Sequence, residues 1–330
     1  MVTSEWPSDK VPDRAPFVVR QVEALRSAGV HVDVVALRGR KNPFNYLKAW
    51  GRVRRILRQD SHHLVHAQWA QSGLLAIPKR TPLVVTIRGK ELTRGAGRTG
   101  WIGPLLGWLH WIVTRAVLTQ ADRVVVVARF MVGRLPCGTP YHVIPSGVDL
   151  DLFRPLDKYE ARRELGIAPS GLYVLFGGRP GVARKRFALA EQTIEVVRRT
   201  RSDVELLIAD GVPPERMPLY MNASDALLLT SSYEGSPNVV KEALACNLPV
   251  VTVEVGDVAE RLHGLEDSLV CTDDSPEALG EALSRVLEAG SKGSGRSVVE
   301  ELDERRLTRE VLGVYRLALE RAGRDQHLLE

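Results

Sequence analysis

The sequence predicts an α/β protein built from two Rossmann-like domains. Short runs of β-branched residues alternate with amphipathic stretches along the first half of the chain, and the same alternation is repeated in the second half. A segment in which Pro, Gly and Asp cluster, VIPSGVDLDLFRP at 143–155, separates the two series. We therefore expect residues 1–150 to form an N-terminal domain and residues 151–305 to form a C-terminal one.

In the first half, apolar runs bounded by polar or turn-forming residues indicate buried strands. The predicted strands are HVDVVAL at 31–37, HLVHA at 63–67, PLVVTIR at 82–88 and RVVVVA at 123–128. The stretches at 43–59 and 104–119 are long enough to form helices between them. The start, MVTSEWPSDK, is interpreted as the end of a strand that runs into a loop.

The second half repeats this order of elements. The predicted strands are LYVLF at 172–176, VELLIA at 204–209, DALLLT at 225–230 and PVVTVEV at 249–255, with helices near 186–199 and from 237. AGSKGSGRS at 289–297 is predicted to be a flexible loop. A last helix of about 25 residues is expected after it.

Composition excludes several classes of protein. The chain has 330 residues, of which 44% are hydrophobic and 26% charged, which is typical of globular material with two cores. Its three cysteines are far apart and lack CxxC spacing, so neither a disulfide framework nor a zinc site is indicated. Neither a secretory signal nor a membrane span is predicted. We expect a cytoplasmic location, with peripheral contact at the inner face of the cell membrane left open.

The two halves carry opposite net charges. Residues 1–150 contain 22 Lys and Arg against 9 Asp and Glu, whereas residues 151–330 contain 23 against 31. The basic half suggests an anionic acceptor, an anionic membrane surface or nucleic acid, and solvated basic helix faces explain it equally well. Nucleic acid is disfavoured because no aromatic-bearing recognition module accompanies the basic residues. Trp101, Trp108 and Trp111 favour core packing, with a membrane-interface patch as the alternative.

The loop after LYVLF is rich in glycine and cations. In GGRPGVARKRF, glycines such as Gly178 let the backbone turn tightly, and Arg179 and Lys185 can neutralise a diphosphate. Arg184 and Arg186 flank Lys185, so the sequence leaves open which cation points inward. A basic cluster on the surface is the alternative interpretation.

The loop after DALLLT is predicted to begin a helix at SPN. Ser236 is expected to be the N-cap, with Pro237 as the first helical residue. The backbone N–H groups of Asn238 and Val239 would then be free to bind an anion, and the helix dipole would favour it. Glu242 lies about one turn further along, with its side chain directed toward that N-terminus.

Two carboxylates therefore surround a predicted anion site. Since a carboxylate does not bind a phosphate, Glu234 and Glu242 are expected to accept hydrogen bonds from hydroxyls on either side of a diphosphate, as in a nucleotide sugar. A capping box or an acidic surface loop is the alternative. The pair Asp273 and Asp274 is better explained by the start of a helix than by a metal, so no metal site is predicted.

These segments resemble one known family. EGSPNVVKE resembles the paired-glutamate motif, E-x7-E, of the retaining family 4 (group 1) glycosyltransferases, which have the GT-B fold. VIPSGVDLDLFRP, GGRPGVARK and CNLPVVTVEVGDVAE resemble three further segments of that family in the same order. The resemblance implies two Rossmann-like domains that face a cleft, and a C-terminal helix, within 306–330, that crosses back to the N-terminal domain.

The resemblance also implies a reaction. Arg179 and Lys185 would bind the diphosphate of a UDP- or GDP-sugar, Glu242 the ribose and Glu234 the transferred sugar. Transfer would retain the anomeric configuration and need neither a metal nor a cofactor. The acceptor would be a glycan, a lipid-linked molecule or a small molecule, in the synthesis of a cell-surface polysaccharide or glycoconjugate.

This chain departs from the family at three places. It has Arg88-Gly89 where the family often has His-Gly, and because arginine cannot act as a general base, contact with an anionic group of donor or acceptor is expected instead. The first loop, PSDKVPDRAP, lacks glycine, and only about fifteen residues separate ELLIA from DALLLT. Two alternatives remain: a GT-B-like sugar-nucleotide epimerase, and a non-catalytic protein that binds anions or nucleic acid.

Overall fold

The computed structural model describes residues 1–8, 14–37, 43–59, 62–92, 103–290 and 293–323. It divides into two compact units, one formed by Met1–Gly147 with the C-terminal stretch from Arg305, and the other by Val148–Glu304. Unit 1 contains a six-stranded sheet and unit 2 a five-stranded sheet, and every strand pair in both is parallel. The predicted architecture of two Rossmann-like α/β domains is confirmed.

Unit 1 follows the order expected for repeated βαβ units. Its elements are β1 (Val2–Thr3), α1 (Pro16–Ser27), β2 (Val35–Ala36), α2 (Pro43–Leu57), β3 (Val65–Gln68), α3 (Ala70–Gly73), β4 (Leu83–Ile87), α4 (Gly103–Gln120), β5 (Arg123–Val126) and β6 (Tyr141–Val143). The strand order is β2-β1-β3-β4-β5-β6. All residues of β3 and β4 are buried, which explains the largely apolar run of β4, whereas β3 carries the buried polar residues His66 and Gln68.

Unit 2 repeats this construction. Its elements are α5 (Lys158–Leu165), β7 (Leu172–Phe176), α6 (Phe187–Arg198), β8 (Val204–Leu207), α7 (Met217–Ala223), β9 (Ala226–Leu229), α8 (Asn238–Ala245), β10 (Val250–Val253), α9 (Val258–Leu262), β11 (Leu269–Cys271), α10 (Pro276–Ala289) and α11 (Arg296–Val299). The strand order is β11-β10-β9-β7-β8. The central strands β9 and β10 are entirely buried.

Some predicted elements are shorter than expected. The run at 31–37 contributes only Val35–Ala36, because β2 is an edge strand whose partner, β1, has two residues to pair with. The last helix, α12 (Glu304–Arg321), has 18 residues in place of the roughly 25 expected, and residues 324–330 lie outside the described part of the chain. Part of the first loop, at 9–13, also lies outside it.

Helix α12 is anchored to the sheet of unit 1 by a buried histidine. One ring nitrogen of His66, on β3, lies 2.7 Å from the hydroxyl of Tyr315 on α12, and the other lies 2.7 Å from the hydroxyl of Thr86 on β4. Burial, reinforced by the charge of Arg88, lowers the pKa of His66 to about 3. His66 is therefore a neutral structural residue, and the described residues contain no cluster of side chains suited to a metal ion.

The apolar helix α4 is the feature to consider for contact with a membrane. Helix α4, the most apolar of the predicted helices, contains the described part of the tryptophan segment, and Trp101 lies outside the described residues. Trp108 is 52% exposed, so the expected core packing is wrong for this residue. Among the helices that the structure describes, none combines the length and apolar character that a membrane span requires.

Candidate functional site

Two loops meet at the carboxyl edge of the sheet in unit 2. Because β7 pairs directly with β9, the segments that follow these strands start side by side. The hydroxyl of Thr230 donates to the carbonyl of Lys185 at 2.7 Å, and the N–H of Ser232 donates to the carbonyl of Arg184 at 2.8 Å. The two loops that the sequence singled out are therefore joined, at the edge where ligands bind in open parallel sheets.

Lys185 is held between these loops. Its ammonium lies 2.7 Å from Oε1 of Glu234 and donates to the carbonyl of Gly177 at 3.1 Å. The aliphatic stem covers Gly178, where an added Cβ would lie 2.7 Å from Cδ and 2.8 Å from Cγ of the lysine. The absence of a side chain at Gly178 thus leaves the space that the Lys185 stem occupies, and this matters more than the backbone freedom of a glycine.

The carboxylate of Glu234 accepts hydrogen bonds from two cations. Its Oε1 also pairs with Nη1 of Arg184, which is 46% exposed, whereas the Lys185 side chain is 14% exposed. Burial by itself raises the pKa of Glu234, but the charges of Lys185 and Arg184 outweigh it and hold the pKa below its usual value. Burial lowers the pKa of Lys185, against the attraction of Glu234. The cluster carries two positive charges against one negative charge.

The structure decides which cation points inward. Lys185 points inward, between the two loops. Arg184, one of the two cations that flank it in the sequence, pairs with the same carboxylate, that of Glu234.

The other two cations of the loop have partners elsewhere. Arg179 lies beside Asp210, with 3.6 Å between Nε and Oδ1, and its side chain is 40% exposed. Arg186 pairs with Asp274 and donates to the carbonyl of Thr230. The three adjacent cations thus have different partners: Arg184 and Lys185 lie in the short 3₁₀ turn Ala183–Lys185, and Arg186 follows it with a positive φ of 49°.

The start of α8 differs from the prediction by one residue. The N-cap is Pro237, with extended φ and ψ of −70° and 114°, so the expected N-cap at Ser236 is wrong. The helical residues begin at Asn238, and the N–H of Val240 donates to the carbonyl of Pro237 at 3.2 Å. Asn238 and Val239 therefore still supply first-turn N–H groups, which lack an intrahelical partner by geometry.

Polar side-chain atoms around this helix start have unused hydrogen-bonding capacity. Within the described part of the chain, Ser236 Oγ and Asn238 Oδ1 are buried and have no hydrogen-bond partner. Buried polar atoms are nearly always paired in folded proteins, so such atoms are expected to meet a ligand or water. Both lie in the segment between Glu234 and Glu242, where the sequence predicts the anion site.

Glu242 lies on the first turns of α8 and is only 9% exposed. Its charge adds to the effect of burial on Cys246, one turn further along, and together they raise the pKa of that thiol to about 12. Cys246 is consequently a packed, unreactive cysteine. Glu242 keeps a small accessible surface, on the same helix as the N–H groups of Asn238 and Val239.

The Asp273–Asp274 pair belongs to a helix start. Asp273 accepts from the N–H of Ser275 at 2.8 Å, and the Ser275 hydroxyl accepts from the N–H of Ala278 as the N-cap of α10. Asp274 pairs with Arg186. These contacts account for both carboxylates without a metal.

Arg88 lies in unit 1, directly after β4, and so belongs to a different carboxyl edge. Its guanidinium donates to Gln68, Ser146 and Gln21. It also lies over the ring of Phe17, 4.6 Å from the ring centroid. The sequence identified the residue but gave no sign of these partners, which come from three separate segments of the chain.

Two family descriptions match this chain. Residues 173–289 match "Glycosyl transferases group 1", and residues 11–147 match "Glycosyl transferase 4-like domain", so that the two together cover well over half of the sequence. A D-inositol 3-phosphate glycosyltransferase from Acidothermus cellulolyticus is 29% identical over 181 residues. That match covers 45% of this chain and 40% of the relative, so the chain matches about two fifths of the relative's length.

Solved structures resemble the whole chain. Sucrose-phosphate synthase from Thermosynechococcus elongatus superposes with a TM-score of 0.79 at 20% identity, over 93% of each chain. Anabaena HepE in complex with UDP and glucose superposes with a TM-score of 0.69 at 15% identity, over 89% of this chain and 88% of the other. At these identities the likeness establishes the fold.

The packing of Lys185 on Gly178 yields a prediction. Gly178→Ala places a methyl group within 3 Å of the lysine stem, so we expect a loss of about 1–3 kcal/mol in the free energy of unfolding. Gly181→Ala is the matched control, because its Cβ would meet nothing within 4 Å. That variant should keep or slightly raise the melting temperature. Differential scanning fluorimetry of both variants checks this, and equal melting temperatures would contradict the packing argument.

Proposed function

The chain belongs to the group 1 glycosyltransferases and has the GT-B fold, and on this basis we propose that it is a retaining, metal-independent transferase. The donor is a UDP- or GDP-sugar, and the acceptor is a glycan, a lipid-linked molecule or a small molecule. The observation that carries the proposal is the cluster of Lys185, Arg184 and Glu234 beside the N-terminus of α8. It combines cations for a diphosphate with a carboxylate for sugar hydroxyls.

The donor's diphosphate fits between the cations and the helix start. Lys185 and Arg184 supply charge, Arg179 adds a third, more exposed cation, and the N–H groups of Asn238 and Val239 supply hydrogen bonds. HepE, a structural neighbour of this chain, was solved with UDP and glucose, which supports a donor of the same class.

The two carboxylates hold the groups that flank the diphosphate. Glu242 binds the hydroxyls of the ribose, and Glu234 binds hydroxyls of the transferred sugar, because ionised carboxylates are strong hydrogen-bond acceptors. The unpartnered Ser236 Oγ and Asn238 Oδ1 lie between them and supply further polar contacts. Once a diphosphate neutralises Lys185 and Arg184, the ion pairs of Glu234 weaken. Its carboxylate can then accept hydrogen bonds from the sugar.

Departure of the nucleoside diphosphate is the step that these residues assist. Negative charge grows on the leaving phosphate as the glycosidic bond breaks. Fixed cations nearby therefore stabilise the transition state more than the ground state. Lys185 is anchored by Gly177 and Glu234, so little reorganisation is needed. Cations in these positions can replace the divalent metal that other transferases use.

We further propose peripheral contact with an anionic membrane through unit 1. Helix α4 exposes Leu105, Trp108 and Leu109, each more than half accessible. Helix α2 exposes Phe44 and Leu47, and its remaining length carries Lys48 with four arginines, counting Arg58 just after it, and no acidic residue. Apolar side chains combined with basic ones are typical of surfaces that bind anionic bilayers. Such contact would bring the enzyme to a lipid-linked acceptor.

Nucleotide binding is the first test. A nucleoside diphosphate at about 100 times its dissociation constant stabilises the folded state by about 2.7 kcal/mol, so UDP or GDP should raise the melting temperature in a thermal-shift screen. Lys185→Ala and Glu242→Ala should reduce that rise, whereas the exposed Arg199→Ala serves as the control. If no nucleotide or nucleotide sugar raised the melting temperature, the transferase proposal would fail.

Product analysis is the second test. We expect the donor's sugar to be transferred with its anomeric configuration kept, as judged by the anomeric coupling in the proton spectrum of the product, and the rate to persist in excess EDTA. Inversion, or loss of activity with the chelator, would refute the respective part of the mechanism. Conversion of the nucleotide sugar without any acceptor would identify the epimerase alternative. Binding of oligonucleotides without nucleotide binding would identify the non-catalytic one.

The membrane proposal is tested by pelleting with liposomes. The protein should sediment with vesicles of phosphatidylglycerol at low salt and remain in solution with phosphatidylcholine alone, because the basic residues of α2 add an attraction to anionic lipids that salt screens. Trp108→Ser with Leu109→Ser should reduce the bound fraction severalfold, and Tyr159→Ser, which removes an exposed aromatic of unit 2, should not. An absence of binding at low salt would eliminate this contact.

A further inference from the structure

Arg88 is a half-buried cation whose side-chain partners are all neutral. Its Nε donates to Oε1 of Gln68 at 3.0 Å, Nη1 to the hydroxyl of Ser146 at 2.6 Å, and Nη2 to Oε1 of Gln21 at 3.2 Å. Gln68 is the last residue of β3, Ser146 follows β6 and Gln21 lies on α1, so three separate segments fix the guanidinium at the edge of the sheet. Its orientation is set before any ligand arrives.

No carboxylate contacts this guanidinium among the residues that the structure describes. The one acidic side chain nearby, Glu91, accepts instead from the backbone N–H groups of Arg88 and Gly89, at 3.3 and 2.7 Å. Burial lowers the pKa of Arg88 to about 10, against the attraction of Glu91, which leaves the side chain charged at neutral pH. A cation placed in this way is partly desolvated and has no direct counter-ion, which makes an arriving anion favourable.

A purely structural role does not require this charge. The side-chain amide of Gln68 donates to Oε1 of Gln21 at 2.8 Å, so the two glutamines are already bonded to each other. A neutral side chain could complete such a network, and removing it from water would cost less free energy than removing a charged guanidinium. The charge of Arg88 is therefore better explained by a ligand.

Two N–H groups of the guanidinium have no hydrogen-bond acceptor among the residues that the structure describes. An arginine has five N–H groups, and three are used here, which leaves one on Nη1 and one on Nη2. Two N–H groups on a planar fork match two oxygens of a single oxyanion. One face of the guanidinium is covered by the ring of Phe17, so a ligand has to approach from another side.

We propose that Arg88 binds an oxyanion, a phosphate or a carboxylate, carried by the acceptor substrate. The site lies at the carboxyl edge of the unit 1 sheet, where open parallel sheets bind their ligands. The inference rests on the proposed transferase function and narrows it, because neutral glycans and neutral alcohols are then excluded as acceptors. Gln21, Gln68 and Ser146 are positioning residues, since they hold Arg88 in place.

The test uses the full chain saturated with UDP, so that the donor site is closed to other anions. Glycerol phosphate, glycerate and glycerol are titrated by calorimetry, and only the two anions should bind. Arg88→Gln should weaken their binding about tenfold or more, and Arg88→Lys should recover part of it. Arg134→Gln, which alters an exposed arginine of the same unit, is the control.

The outcomes separate this inference from the donor assignment. Stabilisation by UDP reports the donor site alone and should be unchanged in Arg88→Gln. Anion binding by wild type that persists in Arg88→Gln, or no anion binding by wild type, would overturn the inference and leave the transferase proposal standing. If Arg88→Gln failed to fold, the Nε–H resonance of Arg88 in the wild-type protein should shift on addition of glycerol phosphate, and an unshifted resonance would overturn the inference.

A second arm distinguishes the source of the anion. Phosphatidylcholine vesicles with and without a polyprenyl phosphate are pelleted with wild type and with Arg88→Gln. Arg88-dependent binding to the phosphate-bearing vesicles supports a lipid-linked acceptor, whereas binding of glycerol phosphate alone supports a soluble one. Both results uphold an oxyanion at Arg88.

Discussion

The ion pair between Lys185 and Glu234 is the interaction on which the site in unit 2 depends. It connects the loop after β7 to the loop after β9, with 2.7 Å between Nζ and Oε1, and both side chains are largely buried. Breaking a buried pair by removing one partner leaves an uncompensated charge, which costs about 3–5 kcal/mol in other proteins. Gly178 and the backbone carbonyl of Gly177 then fix the lysine, so the geometry of both loops follows from this contact.

The same pair explains how two adjacent cations are kept close together in the folded protein. Two adjacent cations repel each other when they are partly desolvated, and Glu234 reduces that repulsion by accepting from both. In the proposed function, a diphosphate would supply the same compensation with more negative charge, so it would replace part of what Glu234 provides and free the carboxylate for hydroxyls. On that proposal, binding of the donor's sugar and binding of its diphosphate would be coupled through a single side chain.

The sequence predicted the central strands well because their apolar runs are continuous. LYVLF coincides with β7, and PLVVTIR differs from β4 by one residue at each end. Edge strands such as β6 and β11 were missed, since short segments with one neighbour carry little hydrophobic pattern. The helix from 237 was found to within one residue, but the N-cap was placed at Ser236 because the motif suggested it, whereas the backbone places Pro237 there.

Within the site, the sequence supplied residue types and the structure supplied their directions. Lys185, Glu234 and Gly178 were identified from the loops, and their mutual contact follows from the pairing of β7 with β9. The role of Arg184 could not be predicted, because the three consecutive cations at 184–186, two in a 3₁₀ turn and one directly after it, differ in the direction that tertiary packing gives them.

The buried cations of the two units have different partners, and this difference supports the different ligands proposed for them. In unit 2, Lys185 has a carboxylate partner, so an arriving anion would take over part of an existing ion pair. In unit 1, the acceptors of Arg88 among the described residues are neutral oxygens, so its charge is stabilised by dipoles that an anion need not displace. The first arrangement suits a donor whose diphosphate is released as the nucleoside diphosphate after transfer. The second suits a substrate group that remains unchanged and serves only to position the acceptor.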